Sequence, residues 1–171
     1  MTPTLKTKRG LEMADVAALT QRMLEAVEVR DTYREAERIA AETVGWRLFT
    51  ILRYLEAERA VERLYSSDEK AYPVGGRKPL DKITASHGAM EHGGIFLAGT
   101  KAQVKEAFFD HELIFSLGIT AIMNVPIRHA GRRLGTLNFC GEEGDYNERE
   151  MQIGRVLSGL LAPALLKAVD G

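Results

Sequence analysis

Apolar and polar positions change their spacing several times along the chain, and those changes lay out its elements. Across residues 11–29, Val16, Leu19, Met23, Leu24 and Val27 recur three and four apart, with Asp15, Gln21, Arg22 and Glu25 around the remaining surface. That spacing makes one apolar stripe on a helix. Asp31-Thr32 interrupts it, and Thr32-x-x-Glu35 has the form of a capping box opening a second helix. This helix runs through Tyr33, Ala36, Ile39, Ala40 and Thr43, and Gly45 is placed to close it. Residues 46–55 and 61–66 then read as two short strands, rich in bulky apolar residues and paired antiparallel across a polar connection. Pro73, Gly75, Gly76 and Pro79 exclude a regular element from residues 67–80. Asp81 is an expected N-cap for a helix to residue 91, and residues 95–98 form a short buried strand. Thr100-x-x-Gln103 caps a further helix to Phe108, and residues 111–117 add another helical turn or two.

Residues 118–139 predict a β-hairpin turning at Ala130-Gly131, with Pro126 away from a ladder partner or at a bulge. An unbroken register from that turn opposes Ile127 to Leu134 and Met123 to Asn138. Asn124 then shares one face with Ile122, Leu137 and Phe139, while Asn138 lies on the other. Asn147-x-x-Glu150 is another capping box, opening a terminal helix to residue 169 that carries Met151, Leu157, Leu161 and Leu165 and is bent at Pro163. The order of elements gives an α+β fold: a central antiparallel sheet of about five or six strands, terminal helices on one face, and loop and helices on the other. Residues 11–171 form a single domain with an N-terminal helix, and residues 1–10 form a flexible tail.

Composition adds constraints. The 171 residues are 45% apolar and 27% charged, an ordinary content for a folded domain, and the formal net charge of −1 gives no field favouring nucleic acid or an anionic membrane. The longest apolar run is too short to span a bilayer, and the N-terminus lacks the apolar core of a secretory signal. Cys140 is the one cysteine, which excludes an internal disulfide, a Cys-x-x-Cys pair and a thiolate-rich zinc site, and points to a reducing cytoplasm.

Ala121-Ile-Met-Asn-Val-Pro-Ile127, Gly131 and Leu134-Gly-Thr-Leu137, followed by an acidic loop and an amphipathic helix, resemble the C-terminal half of a GAF domain, a PAS-related fold. The helix before Trp46, the two strands and the insert before the hairpin extend the likeness over residues 31–169. The stretch 63–79 is similar to a stand-alone bacterial GAF group, distantly like the free methionine-(R)-sulfoxide reductases but without their cysteines. The resemblance implies a small-molecule pocket between the sheet and a roof formed by residues 72–91 and 100–117, no catalysis, and a sensory or regulatory role in signal transduction. It does not extend to the cyclic-nucleotide pattern, since Thr100-Lys101 and Phe108-Phe-Asp-His-Glu112 match neither half, nor to covalent tetrapyrrole attachment, which needs a roof cysteine.

Within that roof, Tyr72 offers an aromatic face, Arg77 a planar fork suited to a carboxylate or phosphate, with Lys78 beside it, and Gly75-Gly76 offer backbone N–H groups. Asn124 is the polar candidate from the hairpin, and Phe96, Phe115 and Trp46 are candidate aromatic lining. The expected ligand is an anionic or zwitterionic metabolite. His87, His92, His111 and His129 do not converge, so no metal, cofactor or catalytic residue is expected. Leu160, Leu161, Leu165 and Leu166 surround more than one helix face and suggest a homodimer through the terminal helices. Two alternatives remain open: a thiol-dependent reductase of a small sulfoxide using Cys140, and an assembly module with a vestigial pocket.

Overall fold

The structure is a computed structural model and describes residues 8–170. Two helices, α1 (Met13–Glu25) and α2 (Val29–Thr43), precede β1 (Leu48–Leu55) and β2 (Ala60–Ser66). Then come β3 (Arg77–Pro79), α3 (Thr84–Glu91), β4 (Phe96–Ala98), α4 (Lys101–Ala107) and α5 (His111–Ser116). The hairpin β5 (Ala121–His129) and β6 (Arg132–Gly141) leads to α6 (Glu148–Asp170). All strands join one antiparallel sheet in the order β3-β2-β1-β6-β5-β4, so the hairpin and β1 form its centre.

The two faces have different occupants. Phe49, Ile51, Met123, Val125, Leu137 and Phe139 project to one side and meet the stripes of the terminal helices, among them Leu19, Ile39, Leu157 and Leu161. Each such side chain, fully buried, contributes roughly 1.5–3 kcal/mol of transfer free energy. On the other side α3, α4, α5 and residues 67–76 make a roof over a smaller core that includes Leu48, Val104, Phe108, Ile119 and Ile122.

Several boundaries differ from the expected ones. Helix α2 starts at Val29 with Glu28 at its N-cap, so Thr32 is a buried residue inside the helix rather than a cap. Helix α3 starts at Thr84, and Asp81 lies in a short 3-10 turn before it. Residues 77–79 form a strand despite Pro79, because β3 is the sheet edge, where one missing N–H costs no ladder bond on the open side. The capping box at Thr100 and Gln103 is present, and Glu150 accepts from the Asn147 N–H at 3.1 Å at the start of α6. Helix α6 runs through Pro163 without a break.

The expected tail falls largely on residues 1–7, outside the described residues, but residues 8–10 are anchored: Arg9 binds Asp15 and Glu42, each at 2.6 Å. Helix α6 over Glu148–Val169 is long and apolar enough on average to cross a membrane by length and composition, although polar residues interrupt its apolar runs. Its Ile153, Leu157, Leu161 and Leu165 are nevertheless buried against this chain's own sheet.

Candidate functional site

Two irregularities in strand register decide which side chains face the roof. In β2, Arg63 lies opposite Leu52 but Tyr65 lies opposite Ile51, so Leu64 is an extra residue in the pairing. An unbroken strand would put Arg63 and Tyr65 on the same face. The bulge sends Tyr65 into the helix-side core and Arg63 under the roof, a re-aiming that bulges commonly perform. The hairpin behaves likewise. Ala130 and Gly131 both have positive φ, as a tight two-residue turn requires, but the register shifts between Ile127 and Arg128. Ile127 therefore faces Gly135, and Asn124 faces Asn138. The expected opposite orientation of the two asparagines is corrected: both point under the roof.

Beneath the roof lies a cavity of about 70 Å³. At roughly 10–15 Å³ per water centre this is room for about five waters, or for a ligand of a few heavy atoms. Leu48, Val61, Phe108, Ile119 and Ile122 give it apolar walls, and most of its polar lining falls in two groups.

One polar group is the cluster under the loop. The Arg63 guanidinium lies 4.9 Å from the Tyr72 ring centroid, and its Nη1 donates to the Pro73 carbonyl at 2.9 Å. The Tyr72 hydroxyl donates to Asp110 Oδ2 at 3.2 Å, and Lys78 Nζ reaches the same oxygen at 2.6 Å. Residues from β2, the loop, β3 and the corner before α5 thus meet, and Asp110 latches the roof. Burial holds the Arg63 pKa down, and pushes the Tyr72 hydroxyl well above its usual range with Asp110 adding to the effect.

The other polar group is a ladder on the sheet. Asn124 Nδ2 donates to Asn138 Oδ1, and Asn138 Nδ2 donates to Thr50 Oγ1 at 3.1 Å. Asn124 Oδ1, Thr136 Oγ1, Arg63 Nε and Asp110 Oδ1 are all buried without a partner. Unpaired buried polar atoms are uncommon in folded domains, and four of the seven among the described residues lie at or beside this one cavity. Cys140 also lines it, fully buried, and burial pushes its thiol up to about 12. Such a thiol is protonated at neutral pH and is a poor nucleophile. Among the described residues, no three His, Cys, Asp or Glu side chains converge as metal ligands would.

The family profile for the GAF domain matches residues 26–166. The chain belongs to the GAF family. Solved GAF domains share its fold. That of a phosphoenolpyruvate-protein phosphotransferase from Coxiella burnetii superposes with a TM-score of 0.75 at 16% identity, covering 91% of this chain and 93% of its own. The GAF domain of a two-component sensor histidine kinase from Bacillus halodurans gives 0.70 at 13%, covering 84% and 97%. The phycocyanobilin-bound GAF domain of a cyanobacterial phytochrome gives 0.67 at 16%, covering 93% and 98%. No curated protein matches the chain in sequence.

In this GAF domain the residues expected to bind ligand are not all together. Tyr72 and Asn124 line the cavity. Arg77 does not: it is exposed at the sheet edge, paired with Glu58 and, at 2.9 Å, with Glu62. Phe96 is on the roofed side but packs edge-on against Phe108, 6.0 Å between centroids, outside the cavity lining. Phe115 sits in a surface groove beside Lys101 and His111. Trp46 belongs to the helix-side core, on the opposite face of the sheet. Arg63, Asp110, Thr136 and Asn138 are the polar residues that sequence reasoning missed at this site, whereas Lys78, expected beside Arg77 in the roof, does line the cavity.

Proposed function

We propose that this GAF domain is a non-catalytic sensory module that binds a small molecule beneath the roof. The observation that carries the reading is the cavity with four buried, unpartnered polar atoms at or beside its wall, contributed by Arg63, Asp110, Asn124 and Thr136. A core meant only for packing gains nothing from leaving such groups unpaired. The protonated, buried Cys140 speaks against the thiol-reductase alternative. Binding closes the latch at Asp110 more firmly and is read out by a partner or by a second copy through the terminal helices.

The dimer part of the proposal rests on different residues from those first singled out. Leu161 and Leu165 are fully buried, and Leu160 and Leu166 pack against the same core, so these leucines are used within the chain. Exposed apolar side chains occur instead at Met13, Leu24 and Val27, on and just after α1. Native mass spectrometry of the purified protein tests both parts, since it reports bound mass and subunit number together. A cavity that is never occupied, with no compound in a broad metabolite panel raising the melting temperature, would sink the binding reading. A monomer at tens of micromolar by sedimentation would remove the dimer.

A further inference from the structure

We infer that the ligand is a small monoanion, a carboxylate on a short apolar body, whose charge is met by Arg63; this rests on the cavity being a binding site. Arg63 is only 6% exposed, and its direct contacts are uncharged, a backbone carbonyl and an aromatic face, while Asp110 acts on it from farther off and is already paired with Lys78. Among the described residues no carboxylate comes within ion-pair distance of it, and its Nε–H has no partner. A buried cation in that position is costly until an anion joins it.

Charge balance fixes the valence. Lys78 is already paired with Asp110, so Arg63, Lys78 and Asp110 together leave one positive charge. A monoanion neutralises it, whereas a dianion would leave a buried negative charge uncompensated. The walls fix the rest of the molecule. An inorganic oxyanion needs donors on every side, but the cavity presents Leu48, Val61, Phe108 and Ile122 over most of its surface. Those residues suit a hydrocarbon body, and the cavity volume of about 70 Å³ keeps that body short. The unpartnered Thr136 hydroxyl and Asn124 carbonyl remain for a further polar substituent.

The test is a thermal-shift and calorimetric comparison on the full chain, using acetate, propionate and butyrate against the neutral acetamide, propionamide and butyramide, with nitrate and phosphate alongside. The carboxylates are expected to raise the melting temperature and the amides are not. In Arg63→Met, carboxylate affinity should fall by on the order of tenfold to a hundredfold, as for loss of a charged hydrogen bond. In Arg63→Lys, which keeps the positive charge and leaves the latch at Asp110 in place, carboxylates should still be preferred over the amides. This second variant decides the matter if Arg63→Met fails to fold. Equal stabilisation by amides overturns the carboxylate while leaving the cavity a binding site. A shift with nitrate or phosphate alone overturns the apolar body. Loss of the carboxylate preference in Arg63→Lys overturns the charge argument. Silence from every compound overturns this inference, while the binding reading then stands or falls on the broad metabolite panel.

Discussion

Asn124 and Asn138 lie directly opposite each other on the two central strands, and their side-chain amides are hydrogen-bonded on the roofed face of the sheet. The pair ties β5 to β6 and, through Thr50, to β1. Replacing Asn138 by Leu leaves the Asn124 amide buried and unmatched, which should cost about 1–3 kcal/mol. The double replacement Asn124→Leu with Asn138→Leu should cost less than the sum of the single changes, because neither orphan remains. Urea denaturation of the four proteins measures this coupling.

The helices and most strands were legible in the sequence because their burial follows a plain period: 3.6 in the terminal helices, two in the strands. The site was legible only in part, because its residues depend on breaks in that period. Leu134 and Leu137 are three apart and both reach the helix-side core, which no regular strand allows. That spacing was a readable sign of the bulge which brings Asn138 round to Asn124. Nothing comparable in the sequence distinguished Lys78, under the roof, from Arg77, at the open edge. That distinction follows from the edge strand β3, whose alternate side chains face opposite ways.

Gly76 supports Arg63 by leaving space for it. A Cβ at residue 76 would stand 2.5 Å from Arg63 Nη1 and 3.1 Å from the Pro73 carbonyl oxygen. Gly76→Ala should therefore displace the guanidinium without removing it, lowering stability by about 1–2 kcal/mol as overpacking does. Carboxylate binding, followed by calorimetry, should weaken in the same variant while α6 and the helix-side core keep their native amide-exchange protection.

Cys140 should resist alkylation in the folded protein. Its thiol is buried and raised from 9.0 to about 12, so the neutral form is favoured by folding. The stability this provides is fully present below pH 9 and declines as pH rises towards 12. Iodoacetamide labelling at pH 8, followed by mass, should be slow in the native state and fast in urea. A bound ligand should slow it further.

The N-terminal anchor should release in acid. Hydrogen bonds from Arg9 hold the Asp15 carboxyl below its ordinary 3.8, so the stabilisation exists above that value and is lost as pH falls through the lowered one. Asp15→Asn should loosen residues 9–12 at neutral pH, leaving Arg9 held by Glu42. Backbone amide chemical shifts of Arg9 and Gly10, followed through an acid titration, should report release in the wild type and only the remaining Glu42 transition in the variant.

The ladder of Asn124, Asn138 and Thr50 has one more property. If both amides rotate by half a turn and the Thr50 hydroxyl donates, the chain of bonds runs the other way with the same number of links. Its free end at Asn124 then offers an N–H in place of a carbonyl oxygen. The middle of the cavity can thus greet an acceptor or a donor without any backbone adjustment. Discrimination between chemically similar guests therefore falls to the fixed charge at Arg63 and the shape of the walls, and congeners that exchange a hydroxyl for a keto group should compete for the cavity on nearly equal terms.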